Sequence, residues 1–271
     1  MGLSHGRSIS KLGNGRGMKK IFGTLIIVLF AASAVFPQES EFFDAPFGGG
    51  GGYTPSWYMP NVDAVNSKLE GFGVPKLSTG GFYTSGGAGF VYLGFLKFCR
   101  IGGMGFGGSF SSSTIEHFYP IDSQTLSGYD LYKKVTYSLG GGGLTFEYTL
   151  PLVRTFGISV GAMIGMGSLQ IDIYKNRGSM SWNNIWTDAG GSSGQNQHIS
   201  LKDNFWMFSP TLNVDVPLYR MIVVRLGAGY QFTFGDSWSH DDGADLTAVP
   251  SNLSGKSFFI QSGIFIGLFS F

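Results

Sequence analysis

The stretch Ser257–Phe271, SFFIQSGIFIGLFSF, decides how the rest of the chain is read. Neither a charge nor a proline interrupts it, and it ends on an aromatic residue. Its Phe, Ile and paired glycines favour a strand over a helix. At a period of two, Phe259, Phe265, Phe269 and Phe271 share one face, while Phe258, Ile260, Ile264, Ile266 and Leu268 share the other. A strand this apolar aggregates if its edge stays open. In a lipid bilayer a closed barrel leaves no edge to expose. The stretch therefore reads as the closing strand of a barrel, against the alternative of a buried last strand in a soluble sandwich.

Composition agrees with a β protein. Of 271 residues 44 are glycine, 15% are aromatic and only 13% are charged. Each glycine inside a helix costs about 1 kcal/mol relative to alanine, so a helical protein is disfavoured. Residues 1–34 carry five basic residues and no acid, which leaves 13 basic against 17 acidic residues beyond them. That net negative balance speaks against nucleic acid as a partner. Cys99 is the single cysteine, so there is no internal disulfide and no thiolate metal site.

Met18-Lys19-Lys20, the apolar run Ile21–Ala32 and the small-residue pattern Ala32-Ser33-Ala34 read as a cleaved secretory signal peptide, with residues 1–17 as an extension upstream of Met18. No cysteine follows the cleavage site to carry a lipid anchor. Beyond it the chain falls into eight apolar, glycine-studded runs: Phe47–Thr54, Gly81–Leu93, Phe98–Phe110, Lys134–Leu150, Phe156–Tyr174, Phe205–Val216, Val223–Phe234 and Ser257–Phe271. The gaps alternate long and short, and the first long gap holds a helical pattern at Val62–Leu69. This rhythm puts all short turns at one end of a barrel and all long loops at the other. Several runs exceed the ~9–11 residues that cross a bilayer.

Alternation assigns the faces. Val224, Leu226, Ala228, Tyr230, Phe232 and Phe234 share the outward face of one run, opposite Arg225, Gly227, Gly229, Gln231 and Thr233. Between Phe156 and Tyr174 the apolar set changes parity after Met166, which predicts a bulge near Gly167-Ser168. Gly140–Gly143 read as inward, where small residues allow curvature. Tyr53, Trp57, Tyr58, Tyr83, Tyr137, Tyr148, Tyr174, Trp206, Tyr219, Tyr230 and Trp238 fall near run ends or loop junctions and read as interfacial rings. Four charges fall inward near the short turns: Arg100, Glu147, Asp215 and Arg225. An unpaired charge in a narrow lumen is costly, so an ion-pair network is expected, with Arg100–Glu147 and Arg225–Asp215 on neighbouring strands. It would either seal the lumen or simply satisfy its core.

No catalytic or metal site stands out. His117, His198 and His240 lie in separate polar gaps without ligand spacing, and Asp241-Asp242-Gly243 lacks the register and closing Glu of a calcium loop. No cofactor is implied.

Signal sequence, alternation, loop asymmetry and terminal Phe271 together resemble the small eight-stranded outer-membrane β-barrels of the OmpA-like or OmpX-like kind, over Phe47–Phe271. The resemblance implies an all-β, antiparallel up-and-down transmembrane barrel in a Gram-negative outer membrane. Its turns would be periplasmic and short, its loops extracellular and long, and residues 35–46 a periplasmic lead-in. It also implies that Phe265, Phe269 and Phe271 form the barrel-closing signal read by the barrel-assembly machinery, and that outer-membrane lipid surrounds the wall. No extracellular partner is indicated. The expected role is non-enzymatic, structural or surface-interacting. A narrow, porin-like pore or carrier for a small apolar solute is the alternative. A lipid A-modifying enzyme, prompted by Ser239-His240, is a second.

Overall fold

The computed structural model describes residues 47–118, 129–150, 156–177, 197–219 and 221–270. The segment read as a signal sequence, residues 35–46, Arg220 and Phe271 lie outside these residues. The elements run β1 (Phe47–Tyr53), β2 (Ser56–Pro60), α1 (Asp63–Phe72), β3 (Phe82–Tyr92), β4 (Cys99–Phe118), β5 (Tyr129–Leu150), β6 (Gly157–Asn176), β7 (Gln197–Tyr219), β8 (Ile222–His240) and β9 (Ser257–Ser270).

Pro55 explains why the first strand has two parts. It has no N–H to give to the ladder, so regular pairing lapses at Thr54-Pro55. The register against β3 and β9 is nevertheless the same on both sides. The Thr54 amide still donates to Gly86 O at 2.9 Å, and the Pro55 carbonyl accepts from the Ser262 amide at 2.9 Å. β1 and β2 are thus one stave. With β3 to β9 they make eight, all antiparallel, and β9 pairs back onto β1 and β2 to close the ring. The protein is an eight-stranded antiparallel up-and-down β-barrel.

The staves are unequal. β4 to β8 have 19–23 residues, whereas β3 has 11 and β9 has 14. Five tall staves therefore stand beside three short ones. At the long-loop end α1 fills the mouth, with Val65 and Leu69 buried in the core beside Val62, Val74 and Leu77. Gly73 ends the helix at φ 76°, a left-handed cap that suits glycine. Asn66 acts as a strand partner for the returning chain: its amide donates to Leu77 O at 3.1 Å and its carbonyl accepts from Leu77 N at 2.8 Å.

Several sequence expectations need correction. No bulge occurs at Gly167-Ser168, since β6 keeps one register against both neighbours. Parity never shifts; Leu169 and Ile171 are inward, on the same side as Met163. What changes along β6 is the chemistry of the lumen. Register does shift between β7 and β8 at Asn204/Trp206, where Gly235 takes φ 75°, and again at Pro217/Tyr219. The upper parts of β4, β5, β7 and β8 were read as gaps because their outward residues are mostly polar, and β2 because Pro55 interrupts the run. Gly141 and Gly143 face inward, but Gly140 and Gly142 lie on the opposite, outward parity. Ladder rows bring such outward glycines together across the wall, Gly51 beside Gly89 beside Gly103 and Gly87 beside Gly105 beside Gly142. Tyr58, Tyr137 and Trp238 are buried in the lumen and belong to no interfacial ring. Tyr53, Trp57, Tyr83, Trp206 and Tyr230 are exposed.

Candidate functional site

The lumen is the candidate site, and it has three storeys. At the short-turn end Phe90, Tyr92, Val223, Phe265 and Phe269 pack together as an apolar floor. Phe265 and Phe269, read in sequence as part of the closing signal, point into this floor. Opposite them on β9, Ile264, Ile266 and Leu268 point out, and each is more than half exposed.

Above the floor lie the four charges. Arg100 comes from β4, Glu147 from β5, Asp215 from β7 and Arg225 from β8, each placed inward by the parity of its strand. Arg100 Nε donates to Glu147 Oε2, and Arg100 Nη1 to Asp215 Oδ2 at 2.6 Å. Arg225 grips Asp215 with two bonds, Nε to Oδ1 at 2.7 Å and Nη2 to Oδ2 at 3.0 Å. It also reaches Glu147 Oε1 at 3.2 Å. Each guanidinium therefore meets both carboxylates, and the ring is electrically neutral. Neighbouring-strand pairing accounts for two of these contacts. The cross-lumen pairs Arg100–Asp215 and Arg225–Glu147 need the closed barrel and could not be read from adjacency.

Polar neighbours add further hydrogen bonds. Arg100 Nη2 donates to Ser159 Oγ at 2.7 Å, Asn213 Nδ2 to Glu147 Oε1 at 3.0 Å, and Gln261 Nε2 to Asn213 Oδ1 at 2.5 Å. The guanidinium faces meet floor rings, with Arg100 4.4 Å from the Phe90 centroid and Arg225 4.8 Å from that of Phe265. Six staves are thereby cross-tied. All four charged residues are at least nine-tenths buried. A buried charge is tolerated when it is paired and fully hydrogen-bonded, and here both conditions are met.

The third storey is apolar. Phe106, Tyr137, Leu139, Met163, Leu169, Phe205, Met207 and Phe259 fill it, with Tyr58 stacked between Phe106 and Phe259 at 4.7 and 4.9 Å. Between it and the charge ring is a cavity of about 20 Å³, bordered by Met104, Thr145, Glu147 and Gln261. That is room for about one water. The lid over this storey is latched by Lys133, whose Nζ donates to Phe72 O at the C-terminal end of α1 at 2.9 Å and to Glu116 Oε1 at 2.6 Å. A cation there also complements the helix dipole. Lys133 was missed in sequence, because nothing local marks a residue whose partner is a carbonyl 61 positions away.

Comparison with known proteins gives distant likenesses. Two solved structures of Ail, the attachment invasion locus protein of Yersinia pestis, are similar at 10% identity. Each covers 84% of this chain and 100% of its own, with TM-scores of 0.33 for the complex with the heparin analogue sucrose octasulfate and 0.32 for the other. Acinetobacter baumannii CarO2 is similar at 11% identity over 83% of this chain and 100% of its own, with a TM-score of 0.36. No protein-family model and no curated protein matches. The closure of this barrel is read from its own strand pairing.

The histidines do not converge. His117 Nδ1 lies 2.6 Å from Asp130 Oδ1, His198 Nε2 lies 3.3 Å from Asp172 Oδ1, and His240 Nδ1 lies 2.6 and 3.1 Å from Asp241 and Asp242. The Asp242 carboxylate accepts from the Ala244 amide at 2.9 Å, which holds its pKa below the usual carboxylate value. His117–Asp130 is exposed, His198 meets a buried Asp172, and His240 clusters with Asp241 and Asp242 as three possible ligands in an exposed turn. Among the described residues no two of these histidines share a site.

Proposed function

We propose that the protein is a Gram-negative outer-membrane barrel, delivered by a cleaved signal peptide, that is closed to solutes and works without catalysis, through a structural role or contacts at its long-loop end. One observation carries the reading: apolar residues face outward around a ring whose interior is already filled. Leu144, Phe146, Ile164, Leu212, Leu226 and Ile266 are each at least half exposed. In water such a belt would drive aggregation, whereas hydrocarbon covers it at no cost. Inside, floor, charge ring and apolar storey leave no conduit among the described residues. Fractionation followed by electrophoresis tests it: a heat-modifiable band in the outer membrane, with no unitary conductance in planar bilayers, is expected. A stable channel would overturn the closed-barrel reading, and recovery in a soluble fraction would overturn the membrane reading.

The barrel-assembly machinery is the proposed partner of β9 before closure, when its aromatic row is still accessible. Catalysis is tested by lipid A mass spectrometry, where wild type and His240→Ala should give identical acylation patterns.

A second reading, a carrier of a small apolar molecule, is favoured by one feature. The hydroxyls of Tyr58 and Tyr137 are buried in the apolar storey with no hydrogen-bond partner. Such orphans cost about 1–3 kcal/mol each, and a molecule entering beneath α1 with a polar group would relieve them. Co-purified material extracted from wild type but lost in Tyr137→Phe supports a carrier; identical extracts dismiss it.

A further inference from the structure

The neighbouring strands β2, β9 and β8 end their mutual pairing on one row, Pro60 with Ser257 and Ser257 with Gln231. One row below, Met59, Phe258 and Tyr230 sit side by side on the outward face. Directly above them the chain turns back at Ser251–Lys256 instead of continuing as wall. The step leaves a groove of about 320 Å³ whose lower walls are Met59, Phe258 and Tyr230 and whose upper rim is Asn61, Asn252 and Lys256. All three rim residues are exposed, and no described carboxylate pairs with Lys256.

We propose that this groove is a binding site for one phosphate-bearing membrane lipid, with an acyl chain against Met59, Phe258 and Tyr230 and the anionic headgroup on Lys256, Asn61 and Asn252. The proposal rests on the membrane reading given above and adds a located, lipid-specific contact to it. Two features select the occupant. The groove floor is continuous with the outward belt, since Ile260 on β9 and Leu226 on β8 lie below it on the same faces and are exposed. A peptide or soluble ligand would have to displace hydrocarbon there, while a lipid already has its chain in place. The rim supplies one uncompensated cation and two amides at the level where the apolar face of β2 and β9 ends, which is the arrangement a phosphate headgroup needs. A surface lysine near a membrane contributes about 1 kcal/mol toward an anionic lipid, or roughly fivefold in affinity. Ser254 and Gly255 behind the rim are buried, and Gly255 O accepts from Gln231 Nε2 at 2.8 Å, so the strap is anchored.

Native mass spectrometry of the full barrel released from detergent tests the site, using phosphatidylglycerol, phosphatidylcholine and inorganic phosphate as probes. One phosphatidylglycerol should be retained about fivefold better than phosphatidylcholine. Lys256→Ala should abolish that preference and Lys256→Arg should keep it. Lys202→Ala, on the exposed face of β7 away from the groove, should also keep it. Equal retention of the two lipids by wild type, or equal loss in Lys256→Ala and Lys202→Ala, overturns the site. Binding of phosphate alone as tightly as the lipid would make it a small-anion site and overturns the lipid assignment. Insertion into vesicles, followed as heat-modifiability in the same samples, reports the membrane reading separately.

Discussion

The two ends of the tall staves are built on opposite plans. Toward the short turns, outward residues are apolar and inward ones polar: on β6 and β7, Ile164 and Leu212 face out while Ser159 and Asn213 face in and are fully buried. Toward the long loops the same strands invert. Leu169, Ile171 and Phe205 face in, and Ser168, Lys202 and Asn204 face out. Register does not slip along β6, so the inversion is a change of surroundings and not of geometry. On the membrane reading proposed above, hydrocarbon covers the outside below while charges close the inside. Above, water covers the outside and a small hydrophobic core with its own helix fills the inside. The same staves would then carry a lipid-facing barrel and a soluble-type β-fold.

Substitutions can break this comparison. The largest effect is expected from Glu147→Lys, which places three cations around one carboxylate. It should cost more than the ~3–5 kcal/mol typical of removing one partner from a buried pair, read as loss of the folded band in urea titrations in detergent. Next, Leu169→Ala in the upper core should cost about 2–5 kcal/mol, as in a soluble protein. If it costs nothing, the upper storey is not a packed core. A paired test on β7 follows. Leu212→Lys in the lower belt should cost about 2–4 kcal/mol, whereas Asn204→Lys above it should stay within about 0.5 kcal/mol. Equal costs would place both positions in the same solvent and remove the distinction. Lys133→Met should cost about 1.5–3 kcal/mol, the charged hydrogen bonds it loses being those to Phe72 and Glu116. Limited proteolysis within α1 should quicken in the same variant.

The inversion also explains what the sequence could reveal. Closure by Ser257–Ser270, the eight-stave count and the faces of β7 and β8 were legible, because below the step period-two alternation has one meaning. The inward parity of Arg100, Glu147, Asp215 and Arg225 was legible for the same reason. Above the step the alternation reverses its meaning, so SSSTIEH in β4 looked like a loop and Leu169–Ile173 looked like a slipped register. Pro55 hid β2. Contacts that depend on closure, such as Arg100 with Asp215 and Lys133 with Phe72, leave no local trace.

The outward glycines of β1, β3, β4 and β5 have a consequence for how the ring shuts. On this sector acyl chains would lie directly against peptide planes, with few side chains to resist a change in curvature. The sector adjoins the joint where β1 meets β9, the last contact possible in chain order. Bending strain during closure therefore falls on the most compliant part of the wall, while the charge ring ties β4 and β5 to β7 and β8 at fixed spacing.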